Sequence, residues 1–351
     1  MTQTANFYSS NLLLFSMALL LFWGCSRSDT ATDRSKTLIM AHAMHLEHPV
    51  SKAMAYMDER VEEISDGRLK IEMYPNQQLG SERELLELVQ IGTVGMTKIS
   101  GAALGKIVPA VTIFSLPYLF RNEAHLKAVQ NAPIGQEILQ RGAEYGLKGL
   151  TYYDAGFRSF YTVEKPVREP ADLNGMKIRV QESQMAIQTM QALGASPTPL
   201  AYGELYTALQ SGVVDGAENN PPSFHTARHY EVCNYYSLDQ HTSVPDFLVI
   251  STNVWIDLTD QEKKWLSQAV EESAARQEVL WDEAVEEAMN IVTEAGVEII
   301  RPDKGPFQEA VQPVYDRYAQ QNPELYKMVE QIREIQPDSQ QVQSANTQET
   351  K

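Results

Sequence analysis

The sequence is poor in cysteine and in positive charge. Cys25 and Cys233 are the only cysteines among 351 residues. Because Cys25 lies in a segment that we expect to be removed or lipidated, a disulfide framework is excluded, and Cys233 is predicted to be a buried, inert thiol. Lys and Arg number 29 against 46 Asp and Glu, which gives a formal net charge of −17. Nucleic-acid binding needs a basic face, so nucleic acid is not expected as a partner, whereas a few buried arginines can still bind a small anion.

The motifs of common enzyme classes are missing as well. The sequence has no Gly-x-Gly-x-x-Gly, no P-loop, no Gly-x-Ser-x-Gly and no His-Glu-x-x-His. Nothing suggests paired carboxylates or a nucleophile with its base, so an exported enzyme acting on sugar acids is the weaker alternative and no cofactor is expected. His42, His45 and His48 recur at every third residue near Glu47, so a zinc site is an alternative there. We favour the simpler interpretation, in which these histidines lie at the surface or only form hydrogen bonds.

The one apolar run is too short to cross a membrane. Leu12–Trp23 is almost wholly apolar and about twelve residues long, whereas a spanning helix needs about twenty. We predict a secretory signal peptide over residues 1–25 and therefore export, although no Lys or Arg precedes the run and the translation start could be misassigned. Gly24-Cys25 resembles a lipoprotein cleavage site, so lipid anchoring through Cys25 is a candidate modification. A short anchoring helix that stays uncleaved is the alternative.

The rest of the chain alternates patterns of strands and helices, which predicts an α/β fold. The length and the 43% apolar content favour two lobes. The predicted strands are Lys36–Ala41, Leu69–Tyr74, Gly149–Tyr153, Lys177–Val180 and Phe247–Ser251. The predicted helices are Pro49–Ser65, Ser81–Gln90, Ala186–Leu193 and Tyr202–Gln210.

One further helix is predicted to be unusually long. Thr259 and Glu262 form a candidate capping box, and apolar positions then recur up to a stop at Gly296. At 1.5 Å per residue such a helix is on the order of 50 Å long, enough to lie across two lobes. Two helices with a kink near Ala274 are the alternative.

Two arginines stand out because of their surroundings. Arg158 follows the end of a predicted strand, and Arg179 lies inside the apolar strand Ile178-Arg179-Val180. Burial of an arginine is costly without a partner, yet the nearest acidic residue along that strand is Glu182. A guanidinium that is free in a cleft can bind a carboxylate through two parallel hydrogen bonds, so the missing partner is predicted to be the ligand.

Long blocks of sequence resemble the solute-binding proteins of TRAP (tripartite ATP-independent periplasmic) transporters. The similarity covers roughly residues 36–333. The blocks are Tyr74-Pro75 with Gln78-Leu79-Gly80, Leu116-Pro117-Tyr118-Leu119-Phe120, Asp172 to Arg179, Leu193 to Leu200, Glu204 to Gln210 and Gly212 to Asn219.

The resemblance implies two α/β lobes that close on a small organic acid, a long helix that bridges them, and delivery of the ligand to membrane permease subunits. It implies the periplasmic solute-binding fold, with lobe I over residues 36–155 and 246–285 and lobe II over 156–245 and 286–335. Residues 26–35 are predicted to be a linker, residues 336–351 a disordered tail, and the protein a monomer.

The resemblance also assigns roles to four residues. Arg179 is expected to form the main salt bridge to the substrate carboxylate, with help from Arg158. Asn219 is expected to support the same carboxylate, and Tyr202 to pack against the ligand.

Other polar residues are expected to select the acid. They are His42, His45, His48, Glu82, Lys98, Ser100 and Asn220. These groups suit hydroxyls, so a ligand with one carboxylate and several hydroxyls fits them best; solvated surface charge is the alternative for Glu82 and Lys98. His48-Pro49-Val50, Asn219-Asn220-Pro221 and Ser223-Phe224-His225 resemble the hexuronate-binding branch of the family. C4-dicarboxylates and other sugar acids are the alternatives, and a sensor or adhesin that serves no permease is also compatible with the sequence.

Overall fold

The computed structural model describes residues 35–337. The predicted signal peptide with Cys25, residues 26–34 of the predicted linker and residues 338–351 of the predicted tail lie outside this range. The strands are β1 Lys36–Ala41, β2 Leu69–Tyr74, β3 Met96–Ser100, β4 Leu147–Tyr153, β5 Arg158–Thr162, β6 Lys177–Val180, β7 Ser196–Pro199, β8 Gly216–Asn219, β9 Tyr235–Thr242, β10 Asp246–Ser251 and β11 Glu298–Ile300.

The α-helices are α1 Pro49–Ser65, α2 Glu82–Gln90, α3 Gly101–Leu104, α4 Glu123–Asn131, α5 Pro133–Gln140, α6 Gln184–Ala192, α7 Leu205–Gln210, α8 Pro221–Thr226, α9 Thr252–Asp257, α10 Asp260–Glu294, α11 Gly305–Ala310, α12 Gln312–Gln321 and α13 Pro323–Glu334. Short 3-10 turns cover Pro109–Ser115, Arg141–Tyr145, Pro170–Leu173, Tyr202–Glu204 and His229–Glu231. No helix within residues 35–337 has the length and apolar content needed to cross a bilayer.

The strands form two mixed sheets, which confirms the predicted α/β class. The first has the order β2-β1-β3-β10-β4, and the second has the order β11-β9-β5-β8-β6-β7. In the first sheet β10 runs antiparallel to both β3 and β4. In the second sheet β6 runs parallel to β7 and β8, and β5 runs antiparallel to β8 and β9. The chain therefore passes from one sheet to the other after β4 and returns before β10.

Most predicted helices and strands are confirmed, and their ends lie close to the predicted ones. The strand over 69–74 and the helix over 49–65 agree residue for residue, whereas the predicted helix over 202–210 is a 3-10 turn followed by the short helix α7. Strand β7 was not predicted because its four residues include Pro197 and Pro199. It lies at the edge of its sheet, where a strand tolerates prolines.

The long helix α10 is continuous over 35 residues, so the alternative with a kink near Ala274 is wrong. The predicted capping box is confirmed. The Thr259 hydroxyl accepts from the Glu262 backbone N–H at 3.2 Å, and the Glu262 carboxylate accepts from the Thr259 backbone N–H at 2.7 Å. Leu266 belongs to the core between α1 and the first sheet, and Val292 belongs to the core of the second sheet. The helix therefore contributes to both.

The connection from β4 to β5 is held against α10. The Asp154 backbone N–H donates to Gln277 Oε1 at 2.9 Å, and Gln277 Nε2 donates back to the Asp154 carbonyl at 2.9 Å. Gly156 has φ +55°, and a Cβ at this position would lie 2.9 Å from the Trp281 ring. Both the backbone conformation and the close approach of the ring therefore require glycine here.

Gly156→Ala is expected to destabilise the protein by about 2 kcal/mol, because it combines backbone strain with overpacking against Trp281. Gly212→Ala is the matched control, since Gly212 has φ +70° but no atom lies within 4 Å of the Cβ that would be added. The control is expected to cost only about 1 kcal/mol. Chemical denaturation measures both values, and equal losses would contradict the predicted contact with Trp281.

Candidate functional site

A cavity of about 350 Å³ lies between elements of the two sheets. Nine of the eleven residues expected to contact or select the ligand line it: His48, Glu82, Lys98, Ser100, Arg158, Arg179, Tyr202, Asn219 and Asn220. His42 and His45 do not. Sequence reasoning missed other lining residues, among them Gln77, Gln181, Ser223 and Asp246.

Arg179 lies on β6 and is only 2% exposed. Its Nε and Nη2 donate to the Leu200 carbonyl at 3.0 and 2.7 Å. Nη1 is buried and has no hydrogen-bond partner among residues 35–337. Burial lowers the pKa of Arg179, although Tyr161 and Glu218 oppose this effect, and an arginine stays protonated in any case. The buried cation therefore keeps three of its five N–H groups unused, and no ion pair within the described residues neutralises it.

Arg158, in contrast, already has an internal acidic partner. It lies at the start of β5, and its Nε and Nη2 bind the Glu218 carboxylate, the second contact at 2.9 Å. Nη2 also donates to the Glu218 carbonyl at 2.7 Å, and Nη1 donates to Asn219 Oδ1 at 2.7 Å. Four of the five N–H groups are thus used, so Arg158 can offer one Nη1 N–H to a ligand. The expected helper of Arg179 is an arginine whose charge is largely compensated.

Glu218 belongs to a chain of buried charges that the sequence did not reveal, here called the Arg158 cluster: Arg158, Glu218, His241 and Asp239. His241 Nε2 lies 3.6 Å from Glu218 Oε2, and its Nδ1 lies 2.8 Å from Asp239 Oδ2. Burial disfavours the charged forms of Glu218 and His241, but their ion pairs outweigh it. They lower the pKa of Glu218 to about 2 and raise the pKa of His241 to about 9.

A second group of charges, the Lys98 triad, consists of Lys98, Glu82 and Asp246. Lys98 is 1% exposed, and its Nζ donates to Glu82 Oε1 at 2.9 Å and to Asp246 Oδ1 at 3.1 Å. The alternative of a solvated surface charge is wrong for Lys98, because β3 is a central strand whose five residues are all buried. Glu82, on α2, is half-buried and pairs with Lys98 instead of standing free in solvent. Burial lowers the pKa of Lys98, but the two carboxylates outweigh this and raise it. The triad carries one formal negative charge.

The two asparagines at the end of β8 use their amides differently. Asn219 Oδ1 accepts from Arg158 and from the Asn220 backbone N–H at 3.0 Å. Asn220 is the N-cap of α8, where its Oδ1 accepts from the Ser223 N–H and its Nδ2 donates to the Ala155 carbonyl, both at 2.8 Å. Both ends of the Asn220 amide are therefore occupied, so we expect it to fix the cavity wall.

Two histidines of the β1–α1 loop, His42 and His48, form hydrogen bonds within the chain. His48 caps α1, and its Nε2 lies 3.2 Å from Ser223 Oγ across the cavity. His42 is fully buried outside the cavity lining, and its Nδ1 accepts from the Met44 N–H at 3.2 Å. Burial, with a smaller effect of Lys98, lowers the pKa of His42 to about 3. A surface position is therefore wrong for both residues. No group of three or more His, Cys, Asp or Glu side chains within residues 35–337 is placed to hold a metal, which gives the zinc alternative no support.

Two further residues that were predicted to contact the ligand, Tyr202 and Ser100, line the same cavity. The ring of Tyr202 lines the cavity, and its Oη donates to the Ser223 carbonyl at 3.3 Å. Ser100 caps α3, and its backbone N–H donates to Glu82 Oε1 at 3.3 Å. Cys233, away from the cavity, is buried as predicted, and burial raises its pKa.

Comparisons with known proteins show which family the chain resembles. Residues 40–322 match the model of bacterial extracellular solute-binding protein, family 7. A TRAP periplasmic solute-binding protein from Xanthobacter autotrophicus Py2, solved with bound β-D-galacturonate, is 40% identical with a TM-score of 0.82 over 85% of this chain and 100% of that chain. One from Roseobacter denitrificans, with bound β-D-glucuronate, is 35% identical with a TM-score of 0.84 over 86% of this chain and 100% of that chain.

The similarity extends to proteins that bind other acids. The C4-dicarboxylate-binding periplasmic protein of Rhodobacter capsulatus is 31% identical over 80% of this chain and 85% of its own length. The matches span nearly the whole described body and combine sequence identity with the two-lobed fold and its long bridging helix. The chain therefore belongs to bacterial extracellular solute-binding protein family 7, the solute-binding proteins of TRAP transporters.

Proposed function

We propose that this protein captures a hexuronate such as glucuronate or galacturonate in the periplasm and delivers it to the permease subunits of a TRAP transporter, without chemical change to the ligand. The observation that carries the proposal is that Arg179 lines the cavity while its buried Nη1 has no hydrogen-bond partner within residues 35–337. A buried cation without a counter-ion is costly, and an incoming carboxylate removes that cost.

The count of donors fits one carboxylate. Arg179 has three unused N–H groups and Arg158 has one, whereas a carboxylate has two oxygens with about four acceptor sites. Because Nε and one Nη2 N–H of Arg179 are held by Leu200, the free edge is the one that carries Nη1. A carboxylate can bind this edge through two parallel hydrogen bonds and receive a further bond from Arg158.

The Lys98 triad, which lines the same cavity, favours hydroxyls over a second carboxylate. Glu82 and Asp246 can accept from sugar hydroxyls, and Lys98 can donate to them. The net negative charge of the triad would repel a second anionic group, which disfavours a C4-dicarboxylate. The volume of about 350 Å³ is in the range of small-ligand pockets. The bound glucuronate and galacturonate of the similar solved proteins support the same choice.

The ligand would connect the two sheets. Arg179 lies on β6 of the second sheet and Lys98 on β3 of the first. A sugar acid held at both ends would stabilise the closed arrangement, which the permease could then recognise.

Glucuronate and galacturonate are expected to raise the melting temperature by roughly 5 °C or more at a hundredfold excess over Kd, because the ligand binds only the folded state. Succinate should have a much smaller effect. Calorimetry would then give Kd, and NMR of the recovered ligand would test for turnover. A larger shift with succinate would favour the dicarboxylate alternative, and a chemically altered uronate would favour the enzyme.

A further inference from the structure

We propose that His241 is a positioning residue for ligand binding: a buried imidazolium behind Arg158 whose positive charge offsets the cluster's carboxylates, so that ligand affinity falls when His241 loses its proton. The inference rests on the proposed carboxylate site. His241 does not line the ligand cavity, so any effect on affinity must act through the groups beside it.

The geometry places His241 between two acids. It is 1% exposed, with Asp239 at 2.8 Å from Nδ1 and Glu218 at 3.6 Å from Nε2. Glu218 in turn binds Arg158, which reaches the ligand cavity. Cations and anions thus alternate along the Arg158 cluster. Its formal charge is zero with His241 protonated and −1 with His241 neutral.

The other elements around His241 bring no competing charge into contact with it. Phe160 of β5 stacks on the imidazole at 4.6 Å between ring centroids. Tyr118, which precedes α4, donates from its backbone N–H to the His241 carbonyl at 2.7 Å and from its hydroxyl to Asp239 at 3.3 Å. Lys304, near α11, binds the neighbouring Gln240 side chain instead. The protonation of His241 therefore depends mainly on Glu218 and Asp239.

The consequence for the ligand follows from charge. Burial lowers the pKa of His241, but the two carboxylates raise it overall to about 9, so the cluster is neutral at pH 7.5. Above that pKa the cluster gains a negative charge beside the site where the ligand carboxylate binds. The coupling is reciprocal, so bound ligand should raise the pKa of His241 further.

The test is calorimetry of glucuronate binding by the wild type and by His241→Asn at pH 7.5 and pH 10. The wild type is expected to bind roughly five- to tenfold more weakly at pH 10, from the loss of one positive charge on the order of 10 Å behind the site. His241→Asn should bind about as weakly at pH 7.5 as the wild type does at pH 10, and its affinity should change little with pH. Surface lysines that lose protons between pH 7.5 and pH 10 change the glucuronate affinity of both proteins alike, so their effect cancels when the two pH dependences are compared. His225→Asn, at a half-buried histidine outside the cavity, is the matched control and should follow the wild type.

Equal pH dependence in the wild type and in His241→Asn would overturn the inference. If His241→Asn does not fold, nitrogen-15 NMR of the wild-type imidazoles decides instead. A doubly protonated His241 at pH 8 whose midpoint rises with glucuronate supports the inference, and a neutral ring or an unmoved midpoint refutes it. Failure of the wild type to bind any uronate at pH 7.5 would refute the proposed function itself, which is a separate outcome.

Discussion

Arg179→Ala is expected to weaken hexuronate binding by about 3–5 kcal/mol, roughly 10² to 10⁴ in Kd, because the ligand carboxylate would enter the closed cavity without its main counter-ion. Arg179→Lys should recover only part of this loss, since an ammonium group cannot form the two parallel bonds of a guanidinium. Calorimetry with glucuronate measures both effects.

The stability of the ligand-free protein should respond in the opposite sense. Arg179 is a buried cation with no ion-pair partner within residues 35–337, so its removal should leave the free energy of unfolding unchanged or increase it. Arg83→Ala is the matched control, since Arg83 lines the same cavity but pairs with Glu87 at an exposed position. An Arg179→Ala variant that binds as tightly as Arg83→Ala would refute the carboxylate site.

Lys98→Met is expected to lower the free energy of unfolding by about 3–5 kcal/mol at pH 7.5, because it leaves Glu82 and Asp246 buried together without their cation. Burial already raises the pKa of Asp246 while Lys98 lowers it, so loss of Lys98 would raise this pKa further above its unfolded value. The loss should therefore be fully present above the raised pKa, should shrink as the pH falls through it, and should vanish only well below the unfolded value of about 3.8, where the carboxyl is neutral in both states. Chemical denaturation at pH 7.5 and pH 4.5 measures the difference.

Lys106→Met provides the comparison for Lys98→Met. Lys106 also lines the cavity, but it forms an exposed pair with Glu182 at 2.8 Å, with side-chain exposures of 42% and 36%. Exposed pairs contribute about 0–1 kcal/mol, so this variant should remain close to the wild type at both pH values. Equal losses in the two variants, or a Lys98→Met loss that does not depend on pH, would contradict the buried triad.

The sequence revealed those features of the site that depend on local pattern. Periodicity located α1 and β2, and the lack of an acidic neighbour on the strand agrees with the absence of an ion pair to Arg179 within residues 35–337. The resemblance to the TRAP family pointed to Tyr202 and Asn219, which line the same cavity. These conclusions needed only information from neighbouring residues or from blocks of sequence that resemble those of the TRAP family in the same order.

The features that sequence reasoning missed depend on how distant strands pair. Glu218 reaches Arg158 because β5 and β8 are antiparallel neighbours, and Asp246 reaches Lys98 because β10 pairs with β3 with Asp246 opposite Ser100. No local spacing encodes such pairings. The one signal that the sequence offered for Asp246 was its position as an acidic residue directly before the predicted strand Phe247–Ser251. His42 was assigned to the ligand from its neighbours in sequence, but the chain turns it into the protein interior.

The two ends of the cavity differ in how substitutions can alter them. The Leu200 main-chain carbonyl orients the Arg179 guanidinium, so exchange of the Leu200 side chain does not remove the group that aims the arginine. The opposite end consists of the side chains of Glu82, Lys98 and Asp246, each of which a single codon change can replace. Substitutions that change which sugar acid is bound are therefore expected at the triad. The orientation of Arg179, which binds the acid group, depends on a main-chain carbonyl and is less sensitive to substitution at Leu200.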